Sequence, residues 1–244
     1  MIPARMGFDR FVPDAVTLAA LVPIGLTVAV AAGWFAGWLR TVRGVAAPYT
    51  RKVFHFTIFT AAAAIHLWKG PSGVVVFGAV VTSVVIAVVV RGEGHALYEA
   101  LARPTDAPHR SFFVLVPLAT TALGGVLANV LSPGYGYVGY LVAGWGDALG
   151  EPVGTRWGRH RYRVPTLAGV SASRSLEGST AVLLGGFAAA VTGLLIAGVA
   201  PGPAARAAAL AAAAGALVEA GSSHGIDNLT VQAAAALVAR LALG

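Results

Sequence analysis

The chain has no cysteine, which excludes disulfides, thiolate metal sites and a cysteine nucleophile. It is also poor in charge: Asp, Glu, Lys and Arg make up 11% of its 244 residues, against about 25% in an ordinary soluble domain. Acids are the scarcer sign, 10 against 17 bases. The chain lacks a glycine loop ending in Gly-Lys-Ser/Thr, a Gly-x-Ser-x-Gly elbow and a dinucleotide fingerprint. His95, His109, His160 and His224 show no metal-ligand spacing, which argues against a zinc site.

What remains is apolar. Hydrophobic residues make up 57% of the chain and its mean hydropathy is +0.77. Several runs approach or exceed the roughly 20 residues that cross a bilayer. This composition predicts an all-α, polytopic transmembrane bundle of about eight spans, forming a single integral membrane domain. Residues 1–47 would be an N-terminal segment and first span, and 48–244 the functional core. The expected spans are 15–39, 51–68, 74–90, 112–131, 137–157, 176–200, 207–221 and 229–243. The polar segment 91–110 is expected to hold a short interfacial helix around Ala96, Leu97 and Leu101.

The formal charge of +7 invites a nucleic-acid reading, but its distribution favours topology. With eight spans, one side receives Arg40, Arg43, Arg51, Lys52, Arg91, Arg103, Arg110, Arg156, Arg159, Arg161, Arg163 and Arg174. The other receives only Arg5, Arg10, Lys69, Arg206 and Arg240. The positive-inside rule then puts both termini outside and the polar motifs on the cytoplasmic face of the membrane.

Those motifs converge on that face. Asp147 and Glu151 stand four apart, on one side of a helix, at the inner end of the fifth span. Carboxylates there are costly to insert, by about 2.5–3.5 kcal/mol each, and are usually functional. The pair suits Mg2+, which takes one or two carboxylates together with substrate phosphates. Gly146, Gly150, Gly154 and Gly158 recur every fourth residue and suit close helix packing. Arg51, Lys52 and His55 share one side of a helix start, where the bases suit phosphate and His55 a proton or hydrogen bond. Arg174, Ser175, Glu177 and Ser179 form a second polar knot before a span, and Ser175 is also a candidate helix cap. Glu219, within an Ala-rich span, is either functional or the partner of a buried arginine. Asp227 and Asn228 open the last span, where Asp227 also reads as a cap.

Four stretches in order, RKVFH at 51–55, GDALGEPVGTRWG at 146–158, SRSLEGSTA at 173–181 and GIDNLTV at 225–231, resemble the polyprenol kinase family. That family includes dolichol, phytol and farnesol kinases and is related to phosphatidate cytidylyltransferases. The resemblance covers about residues 48–240; Arg174 stands where the family usually has Lys. It implies a cytidine triphosphate (CTP)-dependent, Mg2+-assisted kinase acting on an isoprenoid alcohol in the bilayer. Under that reading Asp147, Glu151 and Asp227 hold the metal, and Asp147 or Glu177 takes the hydroxyl proton, with His55 in the catalytic set. Arg51, Lys52, Arg156, Arg159, Arg161, Arg174, Ser175, Ser179 and Asn228 bind the nucleotide or substrate. A cytidylyltransferase would need much the same groups. A proton- or ion-coupled transporter would use the intramembrane acids, but transporters commonly show repeats, and none is visible.

Overall fold

A computed structural model describes residues 7–167, 170–223 and 225–244, so Arg5 and His224 lie outside the described residues. Helices dominate. Helix α1 (Ala15–Thr41) starts at Asp14, whose carboxylate accepts the Thr17 N–H at 2.7 Å. Its buried positions Gly25, Ala29, Ala32 and Ala36 fall three or four apart and, with Gly33, form a small-residue stripe that lets α2 and α3 approach closely.

Helix α2 (Ala47–Arg91) runs through the second and third expected spans. Gly70 breaks it with φ 71° and ψ −163°, outside helical space and accessible chiefly to glycine. Pro71, which has no N–H to continue the ladder, follows at once. The segment 91–110 is better anchored than an interfacial helix requires. Helix α3 (Ala96–Leu101) buries Leu97, Tyr98, Ala100 and Leu101. Thr50 donates to the Ala100 carbonyl at 2.9 Å, and Arg110 to Glu99 at 2.7 Å. Desolvation works against the Glu99 carboxylate, but hydrogen bonds from Arg110 and the Gly94 N–H, with the charges of Arg110 and Arg40, together outweigh it and hold the carboxyl below its ordinary pKa.

After α4 (Phe112–Leu131) the expected fifth span is one helical run with a π turn inside it. It divides into α5 (Gly136–Leu141), one π-helical stretch at Val142–Gly146, and α6 (Asp147–Trp157). Close approach at glycines accompanies the π turn. A Cβ at Gly139 would collide with the Gln232 carbonyl, and one at Gly144 with Phe59. The glycines from 146 to 154 then seat α6 on Val182, Gly178 and Ser175.

The Arg-rich loop is an antiparallel hairpin of β1 (Arg161–Leu167) and β2 (Val170–Ser175), pairing Tyr162 with Arg174. These strands are hard to see in sequence because Arg and Ser are prominent in them and Pro165 interrupts β1, leaving little of the β-branched alternation that marks a strand. Ser175 then caps α7 (Leu176–Ile196) by accepting the Gly178 N–H at 3.1 Å. Helices α8 (Pro201–Gly221) and α9 (Asp227–Leu243) close the bundle.

Among the described residues five helices, rather than about eight, are long and apolar enough to cross a membrane: α1, α2, α4, α7 and α8. The difference has local causes. Two expected spans belong to the 45-residue α2, the 136–157 run is divided by its π turn into helices of 6 and 11 residues, and α9 has 17 residues. Two apolar clusters hold the bundle. One joins α1, α2 and α3 around Leu21, Phe77 and Leu97; the other joins α5, α7, α8 and α9 around Val138, Leu194 and a file of alanines. Alanine is weakly hydrophobic, but its short side chain lets α8 and α9 come close enough for dispersion contacts to accumulate.

Candidate active site

At one end of the bundle α2, α6, α8, α9 and the hairpin bring charges together. Lys52 is buried, and its Nζ lies 2.5 Å from Asp147 Oδ2 and 3.1 Å from Glu151. Arg51 donates to Glu151 at 2.7 Å. His55, stacked on Phe59, places Nε2 3.5 Å from Asp147 and 3.3 Å from the Ala143 carbonyl in the π-helical stretch. That stretch rotates the chain so that Asp147, in the first turn of α6, faces α2.

Across from this pair stands Arg174 on β2. It is buried, paired with Glu219 on α8, and donates to Asp227 on α9 at 2.9 Å and to the Ser222 carbonyl at 3.1 Å. The other Asp227 oxygen accepts the N–H groups of Gly225 and Asn228, both at 2.9 Å. Asp147, Glu219 and Asp227 each offer an oxygen, and these oxygens lie within 4.8 Å of one another. Glu219 Oε2 is buried without a hydrogen-bond partner. Three convergent carboxylates, one with an unsatisfied oxygen, suit a hard divalent cation. Lys52 and Arg174 meanwhile offset their mutual repulsion.

Two residues of this region were not singled out in the sequence. Arg103 donates to Asp106 at 3.0 Å and to Glu151 at 3.2 Å, so Glu151 is gripped from both α2 and the loop after α3. The available signal was the run Arg103-Pro104-Thr105-Asp106, a charged pair about a proline, which reads as an ordinary turn.

The remaining expected residues divide. Ser179 faces the site and shares a 2.7 Å hydrogen bond with Tyr162. Asn228 is buried and donates to Thr121 at 3.0 Å. The Ser175 hydroxyl is taken up by its helix cap. Arg161 borders the site while donating to the Gly154 carbonyl at 3.3 Å. Arg156 lies over the Trp157 ring, and Arg159 is exposed. Glu177 is paired with His160 at 2.7 Å, at the base of the hairpin.

Two cavities meet at Asp147 and Phe113. A polar cleft of about 530 Å³ is bordered by Arg103, Glu151, Arg161, Arg174, Ser179 and Glu219. The second cavity has Arg51, Lys52, His55, Asp227 and Asn228 among its lining, with Phe54, Ile58, Val81, Val85 and Leu118 as its apolar part.

Fold and site together define a helical bundle, compatible with an integral membrane protein, whose charged end joins a polar cleft to an apolar recess. Over 114 residues the chain is 38% identical to a phytol kinase of Synechocystis sp., a match covering 44% of this chain. The chain spans 44% of that relative's length. The likeness supports the polyprenol and phytol kinase family. No family model matches the chain, and no solved structure matches it.

Proposed function

We propose that the protein is a CTP-dependent kinase that transfers the terminal phosphoryl group to the hydroxyl of an isoprenoid alcohol. One observation carries the reading: Asp147 is a wall common to a polar cleft with room for nucleotide phosphates and to a recess with a charged mouth and an apolar interior. A water-borne phosphate donor and a membrane-borne alcohol need such a meeting point. The likeness to a phytol kinase supports the same activity, and the sequence resemblance suggests CTP as the donor and Mg2+ as the metal.

Phosphoryl transfer depends on positioning and on neutralising charge over the transferred group. Arg174, Arg161 and Arg103, around the cleft, would hold phosphate oxygens, and Lys52 sits where the two cavities join. The proposed metal set is Asp147, Glu219 and Asp227, with Mg2+ supplying further charge neutralisation when bound. Glu151 is assigned instead to holding Arg51, Lys52 and Arg103 in place. The alcohol would enter the recess with its tail among Ile58, Val81 and Leu118 and its hydroxyl near Asp147, which takes the hydroxyl proton as the new P–O bond forms. His55 and the Ala143 carbonyl fix the approach to that carboxylate.

Product analysis tests the proposal. Membranes containing the protein are incubated with isoprenoid alcohols or lipid phosphates and each of the four nucleoside triphosphates. A kinase leaves a nucleoside diphosphate and a phosphorylated alcohol. Release of pyrophosphate with a cytidine-bearing lipid would make the protein a cytidylyltransferase, and no turnover of any pair would reject both.

A further inference from the structure

An apolar groove of about 290 Å³ continues the recess away from the charged end, and the two share Ile58, Phe59, Val81, Leu118 and Thr121. From Val85 beside the recess to Pro71 at its far end is 14 residues of α2, roughly 20 Å at 1.5 Å per residue. Two polar side chains along it donate to groups of the protein. Asn129 donates its amide N–H to the Tyr140 hydroxyl at 2.5 Å and to the Gly125 carbonyl at 2.8 Å, and Gln232 donates to the Thr121 carbonyl at 3.3 Å. Val75 and Val126, on opposite walls, are both exposed, so the groove is accessible from the bilayer side.

Gly78 lies midway along α2's side of this groove. Most glycines buried in the bundle are there because a neighbour sits against them: a Cβ at Gly25 would meet Phe77, and one at Gly73 would meet Leu21 and Ile65. A Cβ at Gly78 would meet nothing within 4 Å, and its backbone is helical. Packing and turn geometry therefore do not call for glycine there, and the missing side chain leaves the groove open at that level.

The geometry points to Gly78 as a specificity residue: its missing side chain lets the tail of the isoprenoid alcohol pass beyond the Ile58–Val81 level toward Pro71, and so sets the length of alcohol accepted. The inference rests on the kinase reading and commits to the substrate's own tail as occupant. Continuity with the recess at Asp147 argues for this over a bystander acyl chain, because a tail lying here has its head group at the reacting end. A side chain at position 78 would shorten the groove while leaving every charged group in place.

The test uses the full chain in lipid nanodiscs, with Gly78→Ala and Gly78→Phe beside the wild type. Phosphoryl transfer is measured on a short and a long isoprenoid alcohol, and a long alcohol carrying a diazirine at its tail end is photolysed on each protein. The expected result is that Gly78→Phe loses roughly tenfold or more in kcat/KM on the long alcohol only. Gly78→Ala should fall between, and the wild-type label should sit within residues 71–82 and 118–129. Unfolding temperatures near wild type would establish that both variants fold. Equal loss on both alcohols, no change on either, or labelling at the outer face of α1 as by bulk lipid would overturn the inference while leaving a kinase. If the wild type phosphorylates no alcohol, the kinase reading and this substrate ruler fall together, even where the tail label marks the groove.

Discussion

Lys52 and Arg174 each hold a carboxylate that a divalent cation would also bind, and that competition makes single substitutions informative. Asp147→Asn keeps the volume and removes the charge that Lys52 meets at 2.5 Å. Turnover should fall by at least about 10²-fold, the usual worth of a positioned proton acceptor, with insertion and folding retained; a radiolabelled phosphate-transfer assay measures it, and near-normal turnover would remove Asp147 from the chemistry. Substitutions at Glu219 and Glu151 test the proposed division between metal binding and scaffolding. Glu219→Gln should raise the Mg2+ concentration for half-maximal activity by roughly tenfold or more. Glu151→Gln should instead lower thermal stability, since it leaves Arg51 and Arg103 without the carboxylate they hold at 2.7 and 3.2 Å. Titrating Mg2+ against activity for both variants decides the assignment. The opposite pattern would restore Glu151 as the ligand.

At the scale of elements, the π turn within the α5–α6 run is what aims Asp147 at α2. Its glycines act as contact points between backbones, so enlarging one is costly in proportion to what lies against it. Gly139→Ala drives a Cβ into the Gln232 carbonyl and should destabilise the protein by about 1–3 kcal/mol. Gly78→Ala meets open space and should be neutral or stabilising, by up to about 1 kcal/mol from helix propensity. Thermal unfolding of the pair in one detergent checks the contrast; equal shifts would mean that close approach is not what holds α5 against α9. The hairpin matters similarly, because it carries Arg174 over to α8 and α9 and ends in the Ser175 cap that starts α7.

For the whole molecule, orientation is the consequence of where the bases lie. The charged cluster is expected to face the cytoplasm, following the excess of Lys and Arg at that end. Because the chain has no cysteine, one can be introduced at will. Arg159→Cys, beside the hairpin, should react with an impermeant maleimide only after cells are opened. Ala200→Cys, in the turn before α8, should react in intact cells. The reverse labelling would invert the topology and put the polar cleft on the side without cytosolic nucleotide.

Helical class, helices apt to cross a membrane and most helix ends were readable from the sequence, because they follow from local quantities: apolar run length, caps such as Ser175, and breakers such as Gly70-Pro71. The acidic pair and the RKVFH bases were also visible, since helical spacing alone puts them on shared faces. Their assembly was not. Lys52 and Asp147 are 95 residues apart, and Arg174 and Asp227 are 53. Only packing decides that Glu219 completes a carboxylate triad while Glu151 is occupied by three bases, or that a short loop sends Arg103 into the site. Burial of charge is tolerated only where opposite charges meet it, and which charges meet is a property of the folded bundle.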